Sequence, residues 1–245
     1  MDIGFEGKRV VVVGGSSGIG NGIAQGFRAR GAAVEVWGTR AKASDYAGVE
    51  GSDLKGMTYR SVDVTDFEAL EAMESGDVLD VLVLCQGTVR YNREEFERPG
   101  WDHVMDVNIN SVMAVARLFH PALVAAESGS SVIIVSSVAG FDATIGNPAY
   151  SASKHGAVGL TKTLGAAWAK DGIRVNGLAP GLVDTKLTHV TTKNEKRLEG
   201  ALRSIPQRRM GTPEDMAGVA LFLASPLAAY VTGHTVIADG GLSLQ

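Results

Sequence analysis

The chain has 245 residues, 45% of them hydrophobic and 20% charged, with a formal net charge of −4. That length and balance suit a single globular domain over residues 1–245, built on one large core. No Lys/Arg-rich block stands out, which argues against a nucleic-acid partner, and the lone cysteine, Cys85, excludes an internal disulfide. The N-terminus lacks an apolar signal region and no apolar run reaches ~18 residues, so a soluble, cytoplasmic protein without a membrane partner is expected.

In chain order, Arg9 to Val13 is a short β-branched run and reads as a first strand. Gly14 to Gly20 follows as a glycine turn, and Ile19, Ile23, Ala24 and Phe27 then recur at helical spacing up to Gly31. Ala33 to Trp37 reads as strand two, although Glu35 is out of place in a sheet covered on both faces. Thr39 to Gly56 is polar and weakly patterned and reads as a loop with a short helix. Met57 to Val62 is strand three, and Thr65 with Glu68 forms a capping box that opens a short helix. Val78 to Leu84 is strand four. Trp101 to Ala126 is a long helix, bent near Pro121. Ser131 to Ser136 is strand five, Tyr150 to Lys170 a helix and Arg174 to Ala179 strand six. Leu182 to Met210 is polar and reads as a mobile insertion with a short helix. Pro213 to Ala224 is helical, and Thr235 to Ala238 is a last strand. About seven strands alternating with helices predict a Rossmann-like, doubly wound parallel sheet in three αβα layers.

Two motifs carry chemistry. The run V-V-V-V-G-G-S-S-G-I-G places Gly14, Ser16, Ser17, Gly18, Ile19 and Gly20 between a strand and a helix. Glycines there let the backbone approach a pyrophosphate, and the helix N-terminus presents free N–H groups to it. No carboxylate stands at the end of strand two to bind an adenosine ribose. Thr39 and Arg40 stand there instead and suit a 2′-phosphate, which favours NADP(H) and leaves NAD(H) open. The second motif begins at Ser137, which closes the fifth strand. Tyr150 and Lys154 follow on one helix face, four residues apart. An ammonium beside a phenol stabilises the phenolate and prepares a proton donor or acceptor for a carbonyl or alcohol oxygen.

Together, G-x-x-x-G-x-G, Ser137 and the Y-x-x-x-K pair resemble the short-chain dehydrogenases/reductases. The similarity is to the single-domain type, such as the 3-oxoacyl-carrier-protein reductases, and covers nearly the whole chain. Asn108 in D-V-N-I-N matches that family's catalytic asparagine, and Asp63-Val64 matches the pair flanking the adenine. Arg174 to Gly181, with Pro180, matches the segment beside the nicotinamide; Val183 belongs to the same stretch and Thr185 matches a threonine that meets the carboxamide or phosphate. Two departures stand out. Leu84-Cys85-Gln86-Gly87 replaces the family's N-N-A-G, keeping Gly87, and Val13 replaces a threonine.

The resemblance implies hydride transfer between a nicotinamide cofactor and a carbonyl or secondary alcohol. Tyr150 would be the general acid/base, Lys154 would stabilise the phenolate and hold the nicotinamide ribose, Ser137 would bind the substrate oxygen, and Asn108 would anchor a water. Cys85, Gln86 and Gly87 would line the cofactor. The five histidines show no metal-ligand spacing, so no metal is expected. A substrate lid is expected near 182–210, and similar proteins pair their long helices, so a homotetramer or dimer is expected. Two alternatives stay open: an NAD(H)-dependent sugar or secondary-alcohol dehydrogenase, and a non-catalytic dinucleotide sensor.

Overall fold

Val10 to Val13 and Val81 to Leu84 are buried without a polar break, and such runs can pair only where both faces of a sheet are covered. They do so in the computed structural model, which describes residues 3–244. Its strands are β1 (Arg9–Val13), β2 (Ala33–Gly38), β3 (Thr58–Ser61), β4 (Val81–Leu84), β5 (Ser130–Val135), β6 (Ile173–Pro180) and β7 (Thr235–Ala238). They form one parallel sheet in the order β3-β2-β1-β4-β5-β6-β7. The order reverses between β1 and β4, which opens a crevice at their carboxyl ends.

On one face, α1 (Gly18–Arg28) and α8 (Pro213–Ala224) bury Ile23, Phe27, Met216 and Leu221 against Val10, Val34 and Val36. A Cβ at Gly22 would stand 2.4 Å from Pro213 Cβ, so that glycine sets how closely the two helices approach. On the other face, α4 (Ser111–Val124) and α5 (Pro148–Trp168) bury Val112, Val115, Phe119 and Leu164 around Trp37. Each such large side chain contributes about 1.5–3 kcal/mol of burial. The stretch Arg98–Val124 is long and apolar enough to cross a membrane by length and composition. One face of it serves this core, Phe119 lying 5.5 Å from Trp37 ring to ring, while Trp101, Met113 and Val124 stay exposed.

Several expectations shift. The short helix α2 (Phe67–Glu71) is capped by Asp66, whose carboxylate accepts from Ala69 N–H, while the Thr65 hydroxyl is turned back to Asp63, to which it donates at 2.7 Å. The long helix begins earlier, as α3 (Arg98–Met105), with a proline in its first turn. Its change of pitch lies at a π turn over Asp106–Asn110, where Ser111 N–H reaches back five residues to Asp106 O. Glu35 is satisfied: it accepts from the Trp37 indole N–H at 2.7 Å and lies 3.6 Å from Arg9. The segment after β6 holds two helices, α6 (His189–Thr192) and α7 (Glu195–Ser204), and Val183 pairs with Gly211 at its base.

Candidate active site

The crevice above β1 and β4 is a cleft of about 720 Å³. Gly14 leaves β1 with φ +74°, and a Cβ there would stand 2.8 Å from the Gln86 amide nitrogen. Only glycine lets the two strand ends approach so closely. Ser17, in extended conformation, then opens α1; its side chain makes no capping bond, and the first turn carries no acid. The helix therefore points its positive end and the N–H groups of Ile19 and Gly20 toward the cleft, the Gly18 N–H being taken by Gly51 O.

On the other side, Ser137 lies two residues beyond the end of β5 and caps a 3₁₀ turn, Val138–Gly140, its hydroxyl accepting from Ala139 N–H at 3.2 Å. Ser136 ties the chain to α5 by donating to Lys154 O at 2.8 Å. Gly140 is needed beneath that contact, because a Cβ would lie 2.7 Å from the same carbonyl. Tyr150 and Lys154 thus face Ser137 across the cleft floor. Lys154 is 4% exposed, and its ammonium donates to Val135 O at 3.0 Å while lying 5.7 Å from the Tyr150 ring centroid. Burial lowers its pKa to about 8, with the neighbouring Cys85 acting in the opposite direction.

The phenol differs from the sequence expectation. Burial raises the Tyr150 pKa above its ordinary value, the Ser137 hydroxyl works against this, and Tyr91, Glu95 and Cys85 add to it. Here Lys154 is turned to a backbone carbonyl, and the phenol is the protonated partner. Cys85 lines the cleft, and burial pushes its thiol up to about 11.

All the cofactor residues expected from the sequence line this one cleft except Arg40. The Arg40 guanidinium lies 4.7 Å over the Tyr46 ring and donates to the Asp45 carbonyl. Asn108 sits in the π turn, 1% exposed. Its amide accepts from Thr88 N–H at 2.7 Å, donates to Thr88 O at 2.9 Å, and donates to Ser153 Oγ at 3.1 Å. Ser153 in turn donates to Tyr150 O at 2.7 Å. The Asn108 side chain is thus spent on bracing the loop after β4 and the tyrosine helix.

Gln86 supplies the brace missing from Leu84-Cys85-Gln86-Gly87. Its Nε2 donates to Ser111 Oγ at 3.0 Å, and Ser111 donates onward to Val107 O at 2.7 Å. Since the Ser111 proton is committed, the amide can face it only with its NH₂ end. Gln86 Oε1 is then buried with no partner among the described residues.

Sequence reasoning missed the loop at Glu50–Asp53. It folds back onto the glycine turn: Gly18 N–H donates to Gly51 O at 2.9 Å, and Ser52 donates to Ser16 O. Asn21 holds it further, accepting from Asp53 N–H at 3.0 Å and donating to Asp53 O at 2.9 Å. Glu50 thereby joins the cleft wall. Nothing in the polar Thr39–Gly56 stretch signals this return, because its partners lie some 30 residues earlier.

The sequence profile of a family described as enoyl-(acyl carrier protein) reductase matches residues 13–243. The chain is 37% identical to a 3-oxoacyl-[acyl-carrier-protein] reductase, FabG, of Chlamydia pneumoniae, over 99% of this chain and 100% of that protein. It is 36% identical to the 2-dehydro-3-deoxy-D-gluconate 5-dehydrogenase of Bacillus subtilis (97% and 95%). Among solved structures, a putative 2-deoxy-D-gluconate 3-dehydrogenase from Agrobacterium tumefaciens with bound NADP superposes with a TM-score of 0.88, at 34% identity and 99% coverage of both chains. The chain belongs to the short-chain dehydrogenase/reductase family, the NAD(P)-dependent oxidoreductases that act on alcohol and ketone groups.

Proposed function

We propose that this chain is an NADP(H)-dependent reductase of a small-molecule carbonyl, with Tyr150 as general acid/base. The observation that carries the reading is the half-buried phenol of Tyr150 facing Ser137 at the floor of the cleft, one helical turn from the buried Lys154. The cleft suits a dinucleotide: a glycine turn that no Cβ could enter and an uncapped helix N-terminus for phosphate. When bound, the cofactor supplies or accepts the hydride.

The chain's own residues do the rest. Tyr150 gives its proton to the carbonyl oxygen as charge develops there, and takes it back from an alcohol in the reverse direction. Ser137 hydrogen-bonds the same oxygen. Lys154 holds the nicotinamide ribose and favours the phenolate left after transfer. Asn108 acts through Thr88 and Ser153, keeping the loop after β4 and the tyrosine in register. The segment 182–210 closes over substrate as a lid, supported by Tyr91, whose hydroxyl donates to Leu187 O at 3.0 Å.

NADP(H) is supported by the absence of a carboxylate after Trp37-Gly38-Thr39 and by the A. tumefaciens relative. Arg40 would leave Tyr46 to meet a 2′-phosphate. A second reading, an NAD(H)-dependent dehydrogenase of a sugar or secondary alcohol, is favoured by Glu50, a carboxylate on the wall beside Gly18. Titrating the protein with NADPH and NADH by tryptophan fluorescence separates the two. Arg40→Asp should weaken NADPH binding about ten-fold or more; unchanged affinity would overturn the NADP(H) reading. Tyr150→Phe tests the acid/base role, since a sensor would keep its output and an enzyme would lose turnover.

We also propose self-association through α4 and α5. A groove of about 870 Å³ runs over them, lined by Ile109, Met113, Leu118 and Leu160. Light scattering on the purified protein reads the assembly directly, and a monomer would refute it.

A further inference from the structure

One buried carboxylate has no part in the mechanism above. Glu95 lies in a single 3₁₀ turn, Glu94–Phe96, ahead of α3, and is 0% exposed although Glu94 and Glu97 on either side face solvent. Acidic side chains are almost never fully buried unless partnered. Its partners here are three donors. Arg90 N–H reaches Oε1 at 3.0 Å, Asn147 Nδ2 reaches Oε1 at 3.2 Å, and Tyr150 N–H reaches Oε2 at 2.9 Å. A set made wholly of donors fits an ionised carboxylate, which can only accept.

Those partners come from distant parts of the chain. Arg90 belongs to the loop that follows β4, and the hydroxyl of its neighbour Tyr91 donates to Leu187 O. Asn147 is the residue before α5, and it also donates to Arg90 O at 2.8 Å. Tyr150 is the third residue of α5, where backbone N–H groups lack helical partners. Just before Glu95 the chain passes through two left-handed residues, Asn92 (φ 56°) and Arg93 (φ 65°). Neither is glycine, and this uncommon backbone turns Glu95 inward.

We infer that Glu95 is a positioning residue for the reaction: it holds Tyr150 by its backbone N–H and ties it to the loop after β4 and the start of α5 through Arg90 and Asn147. The inference rests on the reading of Tyr150 as proton donor. Charge is its second effect. Glu95 is among the groups that oppose loss of the Tyr150 proton, after burial and together with Tyr91 and Cys85, while the Lys154 ammonium lies 5.7 Å from the ring centroid. It acts on the Tyr91 phenol in the same sense. Nearby, the Arg93 guanidinium stacks on Phe96.

Glu95→Gln keeps the shape but turns an NH₂ group toward one of the three donors. Two readouts apply to the full-length protein. The first is tyrosinate absorbance against pH, each protein compared with its own Tyr150→Phe version so that the difference reports Tyr150. The second is NADPH oxidation with ethyl acetoacetate as the carbonyl probe. For Glu95→Gln, the Tyr150 midpoint should fall by about one pH unit, and kcat should fall about ten- to hundred-fold with KM little changed. Glu95→Asp keeps the charge but shortens the arm, so its midpoint should stay in place while kcat falls. It carries the test if the Gln variant does not fold. A lower melting temperature with midpoint and kcat both unmoved would overturn the inference and leave Glu95 as packing only. Turnover surviving in Tyr150→Phe would instead overturn the proton-donor reading on which it rests.

Discussion

Replacing Lys154 with Met should abolish turnover while leaving the cofactor-free protein about as stable at neutral pH. The ammonium is 4% exposed and its pKa falls from 10.5 to about 8, chiefly through burial. At 1.36 kcal/mol per pH unit, keeping that charge in the folded state costs about 3 kcal/mol below pH 8. Methionine removes this cost but strips the Val135 carbonyl of its donor, a loss of about 1–3 kcal/mol. The two nearly cancel. Their pH dependence does not. Between about pH 8 and 10.5 the unfolded chain still holds the lysine proton that the folded chain has released, so wild-type stability rises with pH across that window. The variant has no such group. Thermal melts from pH 7 to 10 realise about 2.5 kcal/mol of this and should show the wild-type midpoint climbing relative to Lys154→Met by about 5–10 °C, at about 2–4 °C per kcal/mol for a chain of this size. Titrating groups not coupled to Lys154 drop out of the difference; Cys85, whose thiol feels the ammonium, does not, so the comparison is made in a Cys85→Ala background. Parallel melting curves would refute the reasoning, because the ammonium would then not be desolvated.

The glycine turn and the serine give two further tests. Gly14→Ala forces a Cβ into backbone at φ +74°, 2.8 Å from Gln86 N, where no side chain can yield. It should cost about 1–3 kcal/mol of stability and at least about ten-fold in NADPH affinity, read by melts and fluorescence titration; wild-type binding would count against the assigned phosphate site. Ser137→Ala removes the hydroxyl that works against the raised Tyr150 pKa. The phenol should then titrate at higher pH, so the alkaline limb of the reductive kcat/KM profile should move up as its plateau falls. A limb that stays in place would separate Ser137 from the phenol.

The central strands β1, β4 and β5 were legible because each is a short apolar, largely β-branched run buried on both faces; the edge strands β3 and β7 are more exposed and carry a weaker pattern. Ser137 and the Tyr150–Lys154 pair were legible because a strand end and one helical turn set their spacing. Cap and pitch were less so. Thr65 and Asp66 are both good N-caps; Asp66 takes the role, and the Thr65 hydroxyl turns to Asp63 instead. Likewise Pro121 was the visible irregularity in the long helix, while the π turn formed at Asp106–Asn110, where Asn108 braces Thr88 twenty residues earlier.

Local order in the chain determined the fold class, the glycine turn and the family constellation, because each depends on residues a few positions apart. Tertiary structure decided where the polar side chains end. Lys154 turns to Val135 O and Arg40 to the Asp45 carbonyl, while Gln86 reaches Ser111. Glu95, which reads as one charge among several in R-E-E-F-E-R, becomes a buried acceptor for Tyr150, fifty-five residues away. A buried hydrogen bond is fixed by which donors converge on it, and convergence across such separations leaves no periodicity to read.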